Sequence, residues 1–133
     1  MVSCNWRYGE GPCGKSYAVL EKKDNKVFTF VDENDLFKNY DDQNTLLINY
    51  DEIEMPLMNL LSLIDFNKEK GRYRQKTDKC KTINITNIEI ISNRHPQNVF
   101  KDAHKSTYNA LLRRITIVWH YIKDDKYIQE QVS

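Results

Sequence analysis

Residues 9–16 read Gly9-Glu10-Gly11-Pro12-Cys13-Gly14-Lys15-Ser16, and this stretch decides how the rest of the chain is read. It satisfies the spacing G-x-x-x-x-G-K-[ST] of a phosphate-binding loop, which is informative when a strand precedes it and a helix follows. Glycines at these spacings let backbone N–H groups converge on phosphate oxygens, and the opening helix end adds a favourable dipole. In such a loop Lys15 meets the β- and γ-phosphates, and Ser16 holds Mg²⁺ through its hydroxyl. Gly9, Glu10, Gly11, Pro12, Cys13, Gly14, Lys15, Ser16 and Tyr17 are therefore the candidate nucleotide-binding residues, with ATP and Mg²⁺ as the expected cofactors. The alternative is an ordinary Gly-rich turn with a solvated lysine. Only 4 Gly occur in the chain, so their crowding here favours the phosphate loop. Pro12 has no N–H, which removes one possible phosphate donor.

The flanking patterns supply the required context. Residues 2–8 are a short mixed segment that predicts a strand running into the loop. Residues 15–23 predict a helix, with Tyr17, Ala18, Val19 and Leu20 available to face a sheet. Val27-Phe28-Thr29-Phe30-Val31 is β-branched and aromatic, and predicts a second strand. Residues 32–39 suit a short capped helix. Thr45-Leu46-Leu47-Ile48 is an apolar run of the kind buried on both faces of a parallel sheet. Pro56 fits a first helical turn, and Leu57, Leu60, Leu61 and Ile64 continue at helical spacing. Ile83, Ile85, Ile88, Ile90 and Ile91 predict a strand over 83–91, ending at Ser92-Asn93. A helix over 103–114 and a strand over 115–119 follow. Strands separated by helices imply a mainly parallel, covered sheet.

The whole chain bounds these readings. Its 133 residues suit one domain, taken here as residues 1–122 with a charged, frayed tail over 123–133. Twenty Lys and Arg face 19 acids, for a net charge of +1, so net charge alone offers no argument for nucleic acid. Basic character is local instead: Arg72, Arg74, Lys76, Lys79 and Lys81 cluster in a polar stretch. Cys4, Cys13 and Cys80 have no metal-ligand spacing, and their odd number argues against a disulfide framework. A reducing, intracellular compartment is the expectation. No apolar run approaches the roughly 18 residues of a membrane span, and no signal peptide is expected. His95, His104 and His120 are not spaced as metal ligands on one face, and read as surface or structural residues.

A phosphate-loop enzyme also needs a carboxylate at the end of a neighbouring buried strand, to hold Mg²⁺ and orient water. Asp51 and Glu52 stand just beyond Thr45–Ile48, about 35 residues after the loop. Ser16 and Asp51 are thus the candidate metal ligands.

Taken in order, these features resemble the superfamily 3 helicase domain of replication-associated (Rep) proteins from circular single-stranded DNA viruses and related plasmids. The resemblance is carried by Tyr8-Gly9 through Lys15-Ser16, Tyr40-Asp41 leading to Leu46-Leu47-Ile48, and Pro56 followed by Leu60-Leu61-Ser62-Leu63-Ile64-Asp65. It continues through Lys76, Ile90-Ile91-Ser92-Asn93 with Pro96, and Ala110-Leu111-Leu112-Arg113-Arg114-Ile115-Thr116. The Ser-Asn strand end and the late Arg-Arg-Ile are its most diagnostic parts.

That resemblance implies an α/β, three-layer P-loop NTPase fold of the AAA+-like kind, with a central, mostly parallel sheet of about five strands. It implies an ATP-dependent DNA helicase or ATPase module, lacking the nicking domain of a complete Rep protein and so not expected to cut DNA. By the same resemblance, Asp51 and Glu52 are the catalytic carboxylates and Asn93 senses the γ-phosphate. Arg113 or Arg114 acts as an arginine finger on the next subunit's nucleotide. Lys76, with Lys79 and Lys81 nearby, grips single-stranded DNA from a hairpin inside a homo-oligomeric ring, expected to be a hexamer. The host nucleus or a bacterial cytoplasm would be the setting. Against these roles, Asn93 reads equally as a turn residue, the arginine pair as a helix cap, and the basic stretch as a solvated loop. Two departures from the family pattern stand out. Family members commonly read Gly-Cys-Gly-Lys or Gly-Thr-Gly-Lys where this chain has Pro12-Cys13-Gly14-Lys15, and a gapless match sets Asn49 and Tyr50 where the family has its paired carboxylates. A picornavirus-type RNA helicase shares the motif order, and a nucleotide-binding remnant without turnover is the other alternative.

Overall fold

A computed structural model describes residues 2–10, 26–30, 40–68, 72–74, 80–122 and 127–130. In chain order these form β1 (Ser3–Tyr8), β2 (Val27–Thr29), β3 (Thr45–Asn49), α1 (Tyr50–Ile53) and α2 (Leu57–Lys68). Then come β4 (Arg72–Arg74), β5 (Cys80–Thr82), β6 (Asn87–Ser92), α3 (Pro96–Val99), α4 (Lys105–Arg114), β7 (Ile117–Tyr121) and β8 (Tyr127–Glu130). The helices expected over 15–23 and 32–39 lie outside the described residues.

Six strands make one sheet in the order β2-β3-β6-β1-β7-β8. All neighbours pair in parallel except β7 and β8. The sheet is therefore mixed, and the fold is α/β. β1 sits centrally, between β6 and β7, because its Cys4 and Trp6 side chains are fully buried. A strand enclosed on both sides and on one face must be apolar on that face, which a half-polar sequence such as Ser3–Tyr8 meets by alternation.

One face carries the main core. Cys4 and Trp6 of β1, Leu46 and Ile48 of β3, Ile88 and Ile90 of β6 and Val118 of β7 point into it. They meet Leu57, Leu60, Leu61 and Ile64 of α2 and Leu111 of α4. The two helices lie side by side, joined by Arg114, whose guanidinium donates to both oxygens of Asp65 at 2.8 and 2.9 Å. Full burial pushes the Cys4 thiol up to about 12, so it is a packing residue and not a nucleophile.

The opposite face is unlike the first. It holds a small apolar contact of Leu47 and Ile91 and a polar network around Glu89, which is 1% exposed. Arg7 Nε donates to Glu89 at 2.7 Å, while Asn5 and Asn87 donate to its other oxygen at 3.0 and 2.9 Å. A buried carboxylate is tolerable only when its lone pairs are satisfied in this way.

Several element bounds differ from the sequence expectation. β6 begins at Asn87 and not at residue 83, because the partner strands reach it only there: Ser3 and Thr45 both lie opposite Asn87. Ile83 and Ile85 are nonetheless buried, so their alternation reflected burial and not pairing. α4 starts after His104, whose Nδ1 accepts from Ser106 N–H at 3.3 Å. β7 begins at Ile117, after Thr116 N–H donates to the Cys4 carbonyl at 2.6 Å. The frayed tail expected over 123–133 is corrected over residues 127–130, which form β8 antiparallel to β7. Among the described residues no helix is long and apolar enough to cross a membrane.

Candidate functional site at the carboxyl edge of the sheet

Three adjacent parallel strands, β3, β6 and β1, end at one edge of the sheet. From β1 the chain next joins the sheet at β2, three places away, whereas from β6 it passes β1 to reach β7. Connections that depart in opposite directions from neighbouring strands create a switch point, and in open α/β sheets ligands bind there, beyond the carboxyl ends.

β1 delivers the start of the glycine-rich run to this place. Gly9 is buried, and its N–H donates to the Ser92 carbonyl at 3.3 Å, while Glu10 is exposed. Gly11 to Tyr17 lie outside the described residues.

β3 delivers the carboxylates. It ends at Asn49, which remains in the ladder opposite Ile91, and α1 starts at once. Tyr50 turns into the core, where its hydroxyl donates to the Met55 carbonyl and its ring packs 5.8 Å from Trp6 and 5.4 Å from Phe100. A buried tyrosine at that position cannot be a carboxylate site. Its anchoring turns the next residue, Asp51, toward β6 instead. Asp51 Oδ1 accepts from Ser92 Oγ at 2.9 Å, and Oδ2 accepts from Asn93 N–H at 2.6 Å. Glu52 is exposed beside it.

β6 delivers Ser92 and Asn93. The structure thus brings together Gly9, Asp51 and Asn93 from positions far apart in sequence, with Glu52 one residue from Asp51. It does not bring Arg113 or Arg114 there. Both sit at the end of α4, next to Thr116 and Cys4, at the amino edge of the sheet. From Cys4 to Gly9 is five strand residues, roughly 16 Å at about 3.3 Å per residue. The two arginines also differ from each other. Arg114 is held bidentately by Asp65 and donates Nη1 to the Ala110 carbonyl at 2.7 Å, whereas Arg113 is exposed. The Arg114 guanidinium beside it holds the Asp65 carboxyl below its ordinary range.

The basic stretch is partly described. β4 and β5 pair antiparallel, with Arg72 opposite Thr82, Tyr73 opposite Lys81 and Arg74 opposite Cys80. Lys81 therefore belongs to a strand, and Lys76 and Lys79 lie outside the described residues.

Oxygen donors of this kind fit Mg²⁺ better than a softer ion. Mg²⁺ is usually held by one or two carboxylates plus substrate phosphates and keeps several waters. Among the described residues no group of three or more His, Cys, Asp or Glu forms a metal site by itself. Each Asp51 oxygen accepts one hydrogen bond, and a carboxylate oxygen has two lone pairs.

Sequence reasoning missed two contributors. Ser92 carries no role of its own in the sequence reading and neither does Trp6, yet Ser92 Oγ donates to Asp51 and Trp6 Nε1 donates to the Arg94 carbonyl at 3.1 Å. A signal for the second existed: a buried indole N–H needs a partner. His95 and His104 prove structural, each accepting a backbone N–H at a helix start.

No protein-family model matches the chain, and comparison with curated proteins finds no significant match.

Proposed function

We propose that this chain is a P-loop nucleoside triphosphatase domain of the superfamily 3 helicase kind, acting on ATP with Mg²⁺ as an ATP-dependent DNA helicase module. One observation carries the reading most. The first residues of the G-x-x-x-x-G-K-S run, the Asp51 carboxylate and the Ser92-Asn93 turn meet at a switch point on the carboxyl edge. A phosphate loop alone is a short motif. A strand leading into such a motif and adjoining a carboxylate and a polar strand end, in the order the chemistry needs, supports the reading more than the motif alone.

In this reading Lys15 and Ser16 bind triphosphate and metal, Asp51 supports the metal, Glu52 activates water and Asn93 contacts the γ-phosphate. Arg113 lies a strand's length from the site of its own chain, so in this reading its role as an arginine finger is on the nucleotide of a neighbouring copy in a ring. In the same reading Lys76, from the basic stretch that includes the antiparallel β4 and β5, grips single-stranded DNA.

A second reading is nucleotide binding without turnover. It is favoured by Asn49 and by Pro12. Phosphate release with ATP and Mg²⁺, measured with single-stranded DNA, with RNA and without either, separates the cases. The helicase reading expects release stimulated by DNA and abolished by Lys15→Ala. Binding without release selects the remnant, preferential stimulation by RNA selects an RNA helicase, and equal ATP affinity in parent and Lys15→Ala rejects the phosphate loop.

A further inference from the structure

We infer that Ser92 and Trp6 are positioning residues, which fix the turn at residues 92–94 against Asp51 so that Asn93 and the carboxylate act as one rigid unit. The inference rests on the nucleotide reading above and adds two residues that touch no nucleotide themselves.

The turn is fastened from both sides. On the β3 side, Ser92 Oγ donates to Asp51 Oδ1 at 2.9 Å and accepts from Arg94 N–H at 3.1 Å, so the hydroxyl is used in both directions. The Asn93 N–H donates to the other carboxylate oxygen at 2.6 Å. Such charge-assisted bonds are about twice as strong as neutral ones. On the β1 side, Trp6 Nε1 holds the Arg94 carbonyl, and Gly9 N–H holds the Ser92 carbonyl. Trp6 is fully buried and Ser92 is 1% exposed, so the donor side chain of each bond is shielded from water.

Helix capping does not account for this arrangement. α3, which follows the turn, has its own cap: His95 Nδ1 accepts from Gln97 N–H at 3.0 Å. The bonds to Asp51 are additional to what the helix start requires. Their effect is to remove freedom from the segment bearing Asn93, and polar groups that respond to developing charge are most effective when they need not reorganise.

The test compares Ser92→Ala, Ser92→Thr and Trp6→Phe with the parent. Trp6→Phe keeps an aromatic ring between Tyr50 and Phe100 and deletes the N–H donor. Three readouts are taken: amide exchange at Asn93 without nucleotide, ATP affinity, and kcat for phosphate release. Ser92→Ala and Trp6→Phe should speed exchange at Asn93 and lower kcat on the order of tenfold or more. ATP affinity should stay within about threefold, the pattern of a loss confined to the transition state. Ser92→Thr, which keeps the hydroxyl, should restore both. Faster exchange with unchanged kcat overturns the inference and leaves the nucleotide reading standing. So does a joint fall of affinity and kcat that follows thermal stability, because that marks a purely structural role. A parent that binds ATP nowhere or releases no phosphate removes the catalytic reading, and this inference with it.

Discussion

The ring of Tyr8 stacks on that of His120, with centroids 4.5 Å apart and planes 5° from parallel. These residues are register partners on β1 and β7, and Tyr8 stands immediately before the glycine-rich run. Around the pair, Glu130 of β8 accepts from the Tyr8 hydroxyl and lies 3.3 Å from His120 Nδ1 and 3.7 Å from His95 Nε2. The terminal strand is thereby clamped to the strand that enters the candidate phosphate loop. Burial and the Glu130 carboxylate push the Tyr8 hydroxyl well above its ordinary range, so it remains a donor.

This cluster predicts acid sensitivity. His95 is held below its ordinary value of 6.5, first by burial and further by His120, with Glu130 opposing. A folded-state value below the unfolded one means that the unfolded chain binds the proton more readily. Stability from neutral His95 is therefore complete above about pH 6.5 and is lost as pH falls toward the folded-state value. Protonation also ends the acceptor role of Nδ1 at the start of α3. His95→Asn keeps a capping acceptor without a titratable ring. Its thermal midpoint should fall less than the parent's between pH 7.5 and 5.5. Parallel curves would show that His95 does not govern the response.

The buried pair of Arg7 and Glu89 should be strongly coupled. Burial opposes the Arg7 charge, but bonds to Glu89 and Tyr121 more than offset it and hold the guanidinium above its ordinary range. Removing one partner strands the other charge, at a cost of about 3–5 kcal/mol. Glu89→Ala should thus lower the free energy of urea unfolding by about that amount. The double variant Arg7→Met with Glu89→Leu should lose less than the two single changes together. Strict additivity would mean the charges act independently.

Arg113 and Arg114 should separate cleanly in a paired experiment. Asp65 is two-fifths exposed, so water screens the Arg114 ion pair, and a coupling of about 0.5–1 kcal/mol is expected. Arg114→Ala should lower the thermal midpoint accordingly. Arg113→Ala should leave stability within about 0.5 kcal/mol and depress phosphate release only where copies assemble. Mixing it with a Lys15→Ala chain should restore part of the activity, since each supplies what the other lacks. No restoration, with assembly verified, would count against a role across subunits.

For Lys76 the expectation rests on sequence and on the β4–β5 pairing. Lys76→Ala should weaken single-stranded DNA binding for all sequences and flatten its salt dependence, because phosphate contacts release counterions. ATP binding without DNA should not change. DNA affinity equal to the parent's, at low salt and with copies assembled, would favour a solvated loop.

Much of the sheet was legible because its physics is local. Thr45–Ile48 is a β-branched and apolar run, and the structure gives β3 over Thr45–Asn49. Leu57, Leu60, Leu61 and Ile64 repeat at helical spacing, and all four are buried in α2. Strand starts were less legible, because a ladder begins where a partner begins. β6 waits for Ser3 and Thr45, which are distant in sequence.

The sequence by itself determined the α/β alternation, the glycine-rich run after the first strand and the presence of carboxylates after a buried strand. Each follows from side-chain periodicity or from a motif only a few residues long. Tertiary structure alone decided that Asp51, and not Tyr50, faces Ser92 and Asn93, since that choice depends on Tyr50 finding a pocket beside Trp6 and Phe100. It alone decided that Arg114 is committed to Asp65 on the neighbouring helix while Arg113 is exposed. It also made a strand of residues 127–130, whose charge says nothing of a partner such as Tyr8. Contacts such as those of Asp51 with Ser92, 41 positions apart, and of Tyr8 with Glu130, 122 positions apart, depend on chain topology, and no local pattern encodes which polar group will find which.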